Sequence, residues 1–408
     1  MTGGGDRAVM DTVQQRLAFL STQPFTWRSR PGPRRRRRPP LSASRATVTA
    51  CVLSPDAVAE RRVRVTVCGG GSFGSAMAFL LGSNGYPVTL LVRREAVAEC
   101  INAERRNPRY FPADGDIRFP EAVRATTDVA EALRDCDLCV HAIPVQSSRA
   151  FFEQQLLPHW RPGTPILSTA KGIEAGTGQF LYEVLESLQP SHLSPLPTAF
   201  LSGPSFADEM LRQLPTAAVV AARDATLRRA LAEMLSSSVF KVFRSSDVVG
   251  VEVSGAVKNV IAVAAGISEG LGLGMNATAA LVTRGCSEMR RLARRLGARS
   301  VTLAGLSGVG DTFMTCFGAQ SRNRTFGFRL GRGEPLTHIL ETSAQTAEGV
   351  HTARALVRRI GELYPGYQPR RLEMTFPVLL SVADVLEGGV EPRQRLTDWM
   401  RMPSGSEN

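Results

Sequence analysis

The stretch Val63-Arg64-Val65-Thr66-Val67-Cys68-Gly69-Gly70-Gly71-Ser72-Phe73-Gly74 decides the fold. Its first half alternates or runs apolar, as a buried strand does. Its second half is a glycine-rich turn. Residues 75–84 follow with Ala76, Ala78, Phe79, Leu80 and Leu81 on a helical pattern, and Gly85 fits the helix stop. Gly69, Gly71 and Gly74 therefore spell G-x-G-x-x-G between a strand and a helix. The first glycine allows the tight turn, the second lets backbone approach a pyrophosphate, and the third lets helix pack on strand; the phosphates then rest on free N–H groups at the helix start. The alternative, a glycine turn with structural meaning only, is less at home in this context.

Strand and helix patterns alternate onward from this turn. Strands are expected at 88–92, 137–143, 165–169, 198–201, 216–220 and 240–243. Helices are expected at 95–104, 128–134, 147–157, 179–188, 206–213 and 225–235, with a Pro-rich loop at 107–120. Such alternation predicts a Rossmann-like, doubly wound parallel sheet. After about Ser246 the strand patterns cease. Residues 248–270 are apolar at helical spacing, 277–296 form another long helix, and the remainder reads as helical with glycine breaks. The expected class is α/β: a basic extension at 1–62, a dinucleotide-binding domain at 63–246, an all-α substrate domain at 247–400 and a flexible tail at 401–408.

The chain has 408 residues, 43% hydrophobic and 21% charged, which excludes a wholly disordered protein. No apolar run reaches the roughly 18 residues expected of a membrane span. Seven scattered cysteines with no secretory segment before them are expected to be reduced thiols. The net charge of +12 invites a nucleic-acid reading, but residues 1–55 hold ten Arg and two Asp, which is +8 of it. That extension, with five arginines at 34–38 among prolines and Ser-rich sequence after them, fits an organelle transit peptide, plastid favoured over mitochondrion, with a mature start near 45–60. A basic interaction tail and an extension without a role are the alternatives, and the protein would be cytoplasmic if it is not a transit peptide.

Of the 49 basic residues only three are Lys: Lys171, Lys241 and Lys258. A chain that uses Arg wherever a cation suffices keeps Lys where a compact ammonium that can lose its proton is needed. Ala170-Lys171-Gly172 follows an expected strand at its carboxyl end, where ligands bind in open α/β sheets. Ser202-Gly203-Pro204-Ser205 follows another. Lys258-Asn259 interrupts the apolar helix, where a charge needs a partner or a task. Gly308-Val309-Gly310-Asp311 places a carboxylate, and Ser321-Arg322-Asn323-Arg324 opens a helix with phosphate-binding donors; each of these two, alone, would pass for an ordinary turn or cap. The second expected strand ends in Arg93-Arg94 instead of an acidic residue, which suits a 2′-phosphate and points to NADPH, with NADH possible. Cys136-Asp137-Leu138-Cys139 straddles a strand start, and the five His form no ligand spacing, so no metal is expected.

These motifs, with Val257-Lys258-Asn259 and Ala347-Glu348-Gly349, occur in the order and spacing of one family. From about Val63 to Met400 the chain resembles the NAD(P)-dependent glycerol-3-phosphate dehydrogenases of the bacterial and plastid type. The resemblance implies interconversion of dihydroxyacetone phosphate and sn-glycerol 3-phosphate, feeding glycerolipid synthesis, by a homodimer with no nucleic-acid partner. It implies that Lys258 is the catalytic acid/base, oriented by Asp311 and Asn259, and that Lys171 meets both cofactor and substrate. Ser72 and Phe73 would line the cofactor phosphates; Arg93 and Arg94 would approach the adenosine ribose; Ala207, Arg322, Thr346 and Glu348 would reach the cofactor. Gly203, Ser205, Asp311, Ser321, Arg322 and Asn323 would hold the substrate. Phe73 stands where Trp or Tyr is frequent, Thr312-Phe313-Met314 replaces a more aliphatic stretch, and Thr346 replaces an apolar residue.

Two other readings stand beside this one. Dehydrogenases of the 3-hydroxyacyl-CoA or ketopantoate type share the two-part layout but lack the combined Lys258-Asn259 and 321–324 set. A non-catalytic NADPH-binding sensor would not need Lys171, Lys258 and Asp311 together. The arginine pair yields a first prediction. Arg93→Ala/Arg94→Ala raises the Michaelis constant for NADPH about tenfold or more, the worth of a lost charged hydrogen bond, and barely changes that for NADH. A wild type that uses NADH at least as well overturns the 2′-phosphate reading.

Overall fold

The computed structural model describes residues 53–111, 116–188, 196–343 and 347–395. The first described element is a short helix, α1 (Pro55–Ala59), started by Ser54, whose side chain accepts the Ala57 N–H, and by Pro55 in the first turn. Leu53 and Val58 are buried against the sheet, and Tyr86 donates to the Val58 carbonyl at 3.1 Å. The fold therefore begins ahead of residue 63, inside the stretch expected to be extension. The apolar residues that do this are too few to register as a periodic pattern.

The strand β1 (Val65–Cys68) is buried along its whole length, as a central parallel strand must be. It leads through the glycine turn into α2 (Ser72–Ser83), then β2 (Val88–Leu91), α3 (Glu95–Glu104), β3 (Val123–Thr126), α4 (Val129–Leu133), β4 (Leu138–His141), α5 (Val145–Phe151) and β5 (Ile166–Ser168). There follow α6 (Leu181–Ser187), β6 (Thr198–Ser202), α7 (Ala207–Leu211), β7 (Thr216–Ala222), α8 (Ala225–Leu235) and β8 (Phe240–Ser245). The strands form one eight-stranded sheet in the order β3-β2-β1-β4-β5-β6-β7-β8. β1 pairs in parallel with β2 (Val65 beside Val88) and with β4 (Val65 beside Leu138).

Two details differ from the sequence reading. β3 falls where no strand was expected. It is a four-residue edge strand whose buried Val123 and Ala125 alternate with exposed Arg124, too short to outweigh the Pro-rich loop before it. The sheet is also not wholly parallel, because β6 and β7 run antiparallel, Phe200 beside Ala221. The expected crossover helix between them is α7, only five residues long. That is too short to carry the chain back along the sheet, so it turns and returns.

Among the described residues, every regular element beyond β8 is helical. α9 (Val248–Gly270) is followed by α10 (Met275–Arg295), α11 (Ser300–Leu303), a π-helical turn at Leu306–Gly310, α12 (Asp311–Phe317), α13 (Arg322–Gly331), α14 (Leu336–Thr342), α15 (Glu348–Leu363), α16 (Pro369–Thr375) and α17 (Pro377–Leu386). α9 is apolar all round and is long enough to cross a membrane, contrary to the expectation that no run was. It lies instead at the centre of the protein, with 94% of its most apolar window buried. One apolar cluster runs from Cys68, Ile166 and Phe200 on the sheet through α9 to Leu356 and Leu379.

α9 and α13 cross with their backbones touching. A Cβ on Gly266 would sit 2.0 Å from the Arg324 carbonyl oxygen, and one on Gly327 would sit 2.0 Å from that of Val263. Gly270 and Gly331 repeat the arrangement one turn on, at 2.3 Å and 2.4 Å from backbone oxygens. Only hydrogen fits between the helices, and this proximity sets the Lys258-Asn259 segment beside the start of α13. Gly327→Ala is expected to destabilise the protein by about 3 kcal/mol, the upper range of overpacking costs. Urea unfolding checks it; a midpoint within error of wild type would show that the crossing tolerates separation.

Candidate active site

The carboxyl ends of β1, β4, β5 and β6 lie side by side in the sheet, the place where open α/β sheets hold their ligand crevice, and the glycine turn, Lys171 and Gly203–Ser205 follow three of them. The glycine turn has the form the fingerprint demands. Gly69 has φ +117°, and a Cβ on Gly74 would fall 1.8 Å from the Gly69 carbonyl oxygen, whereas one on Gly71 would meet nothing within 4 Å. The backbone at Gly71 is thus open to a close-approaching group, and Ser72 and Phe73 begin α2 beside it. A dinucleotide pyrophosphate fits this cradle. Asn107, which sequence reasoning placed in a loop without function, braces the turn. Buried, it donates to the Gly70 carbonyl at 3.1 Å and the Ser75 hydroxyl at 2.9 Å. A single Asn before Pro108 carries no sequence signal for that role. Arg93 and Arg94 lie exposed just past β2.

The centre of the crevice is a charge cluster. Asp311 opens α12 and is fully buried. Its Oδ1 accepts from Lys258 Nζ at 2.6 Å and its Oδ2 from Lys171 Nζ at 2.7 Å. Lys258 also donates to Thr315 Oγ1 at 2.7 Å, and Ser202 donates to Asp311 Oδ2 at 3.3 Å. Thr315 and Ser202 were not among the expected site residues. Thr315 lies one helical turn after Asp311, a spacing that could have suggested it. Burial would raise the Asp311 carboxyl, but the charges of Lys171 and Lys258 prevail and hold it below the usual range. Burial pushes Lys258 down to about 8, with Asp311 opposing and Lys171 reinforcing the fall. Lys258 is therefore a buried, partnered ammonium and not one reaching for solvent off its helix.

Asn259 does not orient Lys258. Adjacent residues on a helix diverge by about 100°, and its Oδ1 instead accepts from Asn323 Nδ2 at 2.9 Å. Asn323 Oδ1 in turn accepts the Gly349 N–H at 2.9 Å, so the two amides tie α9, α13 and α15 together. Ser321 caps α13, accepting the Arg324 N–H, and Arg322 stands exposed in the first turn. Gly203, at φ +140°, leaves no room for a side chain against Ala218, and Ser205 donates to its carbonyl at 3.1 Å. Ala207 begins α7, half-buried near the turn. Glu348 begins α15; burial raises it to about 7 against the pull of Arg322, and its Oε2 has no hydrogen-bond partner. Thr346 lies outside the described residues.

Two further buried groups support the crevice. His141, at the end of β4, is held neutral by burial, its value lowered to about 3. It bridges Ser168 (3.3 Å) and Ser148 (3.2 Å), and Ser168 accepts the N–H of Ala170 in the Lys171 loop. Glu252 on α9 is raised to about 8 by burial, opposed by the N–H groups of Tyr182 and Leu181 at the start of α6. It links the helical half to the sheet half. Among the described residues, no three His, Cys, Asp or Glu side chains gather as a metal site.

An open α/β sheet with a glycine cradle at its first strand, and a Lys–Asp–Lys cluster formed between the loop after β5 and the helical half, fits a dinucleotide-dependent oxidoreductase. The comparisons narrow the class. The model of the NAD-dependent glycerol-3-phosphate dehydrogenase N-terminus matches residues 64–228, and that of its C-terminus matches 247–397. A relative from Arabidopsis thaliana, glycerol-3-phosphate dehydrogenase (NAD(+)) 2, chloroplastic, is 43% identical over 348 residues, 85% of this chain and 79% of the relative. One from Oleidesulfovibrio alaskensis, glycerol-3-phosphate dehydrogenase (NAD(P)+), is 42% identical over 83% of this chain and 98% of its own. The crystal structure of glycerol-3-phosphate dehydrogenase from Coxiella burnetii superposes with TM-score 0.75 at 32% identity, covering 83% of this chain and 99% of that one. The chain belongs to the NAD(P)-dependent glycerol-3-phosphate dehydrogenase family and is an oxidoreductase of that kind.

Removing the shared carboxylate tests the cluster. Asp311→Asn leaves Lys171 and Lys258 with no anion and is expected to cost about 3–5 kcal/mol at pH 7, the cost of breaking a buried pair. Without the carboxylate the folded-state value of Lys258 falls further below the unfolded one. The unfolded chain then binds more protons, and the deficit shrinks as pH rises toward 10. Denaturation of both proteins at pH 7 and pH 9.5 checks the sign; a deficit that grows with pH contradicts the geometry.

Proposed function

We propose that the protein interconverts dihydroxyacetone phosphate and sn-glycerol 3-phosphate with Lys258 as the acid/base, using NADPH in preference to NADH. The observation that carries the reading is the Lys258–Asp311 contact at 2.6 Å, in a cluster completed by Lys171 from the loop after β5. The nicotinamide cofactor supplies the hydride to C2 or takes it back. Lys258 has three N–H donors, two of them committed to Asp311 and Thr315. The third is free to meet the C2 oxygen and to deliver a proton as alkoxide charge develops there. Asp311 keeps the ammonium in place, and Lys171, on the other oxygen of Asp311, adds positive charge beside the same oxygen. Arg322 with the Ser321-capped start of α13 supplies the site for the substrate phosphate. Gly203 and Ser205 line the same mouth.

The boundary near 247 is kept as the division between the dinucleotide and substrate domains; among the described residues the last strand ends at Ser245 and helices follow it. A plastid stroma is the proposed location. It rests on the Arg-rich residues 1–52 and on the chloroplastic relatives, and glycerol 3-phosphate made there would feed glycerolipid synthesis.

Two measurements on Lys258 test the mechanism. Lys258→Arg keeps the charge and loses the movable proton, and turnover is expected to fall by about 10²–10⁴-fold. Lys241→Arg, at an exposed position on β8, is expected to be silent. With Lys258 near 8, ketone reduction needs the protonated form and declines as pH rises through about 8. Alcohol oxidation needs the neutral amine and climbs over the same interval. Profiles that move in the same direction exclude Lys258 as the proton carrier.

A further inference from the structure

Thr352 sits one turn after Glu348 on α15 and is fully buried, yet its hydroxyl has no hydrogen-bond partner. A helical threonine ordinarily satisfies its hydroxyl on the carbonyl four residues back. Thr278, Thr312, Thr315, Thr342 and Thr375 all do so in this protein, at 2.6 to 3.1 Å. Thr352 departs from that habit. Its hydroxyl points at the Lys171 loop, as does the unpartnered Oε2 of Glu348. A methyl group on Gly172 would meet Thr352 Oγ1 at 3.4 Å, Val145 Cγ2 at 3.4 Å and Glu348 Oε2 at 3.5 Å. Gly172, at φ +157°, thus leaves a small notch with an apolar wall and two buried oxygens that lack donors.

The notch has a definite place in the crevice. It lies past the ends of β4 and β5, one and two strands from β1, so about 5–10 Å across the sheet from the glycine turn. It adjoins Lys171, whose ammonium is on Asp311. A dinucleotide whose pyrophosphate rests on the turn after β1 brings its reactive ring to this end. Two acceptor oxygens, one a carboxylate, repel a phosphate and suit a neutral group with two N–H donors. The carboxamide of the nicotinamide is such a group.

We propose that Thr352 is a further cofactor-binding residue: the carboxamide NH₂ donates one hydrogen to Glu348 Oε2 and the other to Thr352 Oγ1, in the notch beside Gly172. This fixes which face and edge of the ring is turned toward Lys258, and it rests on the nicotinamide-dehydrogenase reading above.

The test uses the full chain and binding, not turnover. Dissociation constants are measured by calorimetry for three probes: NADPH, its 3-acetylpyridine analogue, which has a methyl in place of the NH₂, and 2′-phospho-ADP-ribose, which has no ring. Thr352→Val is expected to weaken NADPH about five- to tenfold, the loss of one hydrogen bond, to change the acetylpyridine analogue less than twofold, and to leave the ringless fragment unaffected. Thr352→Ser restores NADPH binding. Equal weakening of all three probes would mark Thr352 as structural, and an unchanged NADPH constant would show that its hydroxyl does not meet the carboxamide; either overturns the proposal. Failure of wild type to bind even the ringless fragment would overturn the dinucleotide reading beneath it, a result distinct from both.

Discussion

Asp311 is a carboxylate with no exposure to water, and two ammonium groups from different parts of the chain end on its two oxygens. Lys171 comes from the loop after β5, Lys258 from the middle of α9, and Asp311 from the start of α12. Asp311 and Lys258 are buried, and a single ion at that depth carries a desolvation cost that only a partner offsets. Each is therefore a condition for the other, and the sheet half and helical half must close on one another for the cluster to exist.

The apolar character of α9 follows from this arrangement. A helix that delivers an ammonium to the interior has to be surrounded, and its neighbours cover it on every side. The backbone contact with α13 brings the Asn259–Asn323 link within reach, and through Gly349 it extends to α15. The same helix that supplies Lys258 thus also fixes the start of α13, where the phosphate is proposed to sit. Glu252, near the start of α9, reaches the start of α6 and secures the other end of that interface.

Much of this was legible in the residues. The strand–glycine–helix stretch at 63–74 carried the sheet, because burial on both faces and the need for close backbone approach leave few residue choices. The rarity of Lys singles out Lys171 and Lys258 independently of any motif. What was not legible depends on tertiary neighbours. β3 is recognisable only beside β2, and the reversal at β7 depends on how short α7 proves to be. Asn107, Ser202 and His141 act through partners far off in the sequence, and nothing in their flanks announces it, whereas Thr315 was within reach of a reading because it stands one turn after Asp311. The Asn259 expectation failed for a local reason: consecutive helical side chains point apart, so Asn259 serves Asn323 while Lys258 serves Asp311.

The scarcity of lysine has a practical side. Lys241 is exposed on β8, whereas the side chain of Lys171 is 17% exposed and that of Lys258 7%. To an amine-selective acylating reagent, or to a protease that cuts only after lysine, the folded chain offers one open side-chain target and two that are guarded by their own ion pairs. Chemical labelling that most proteins would blur across dozens of surface sites would here read out the opening of the crevice itself, residue by residue.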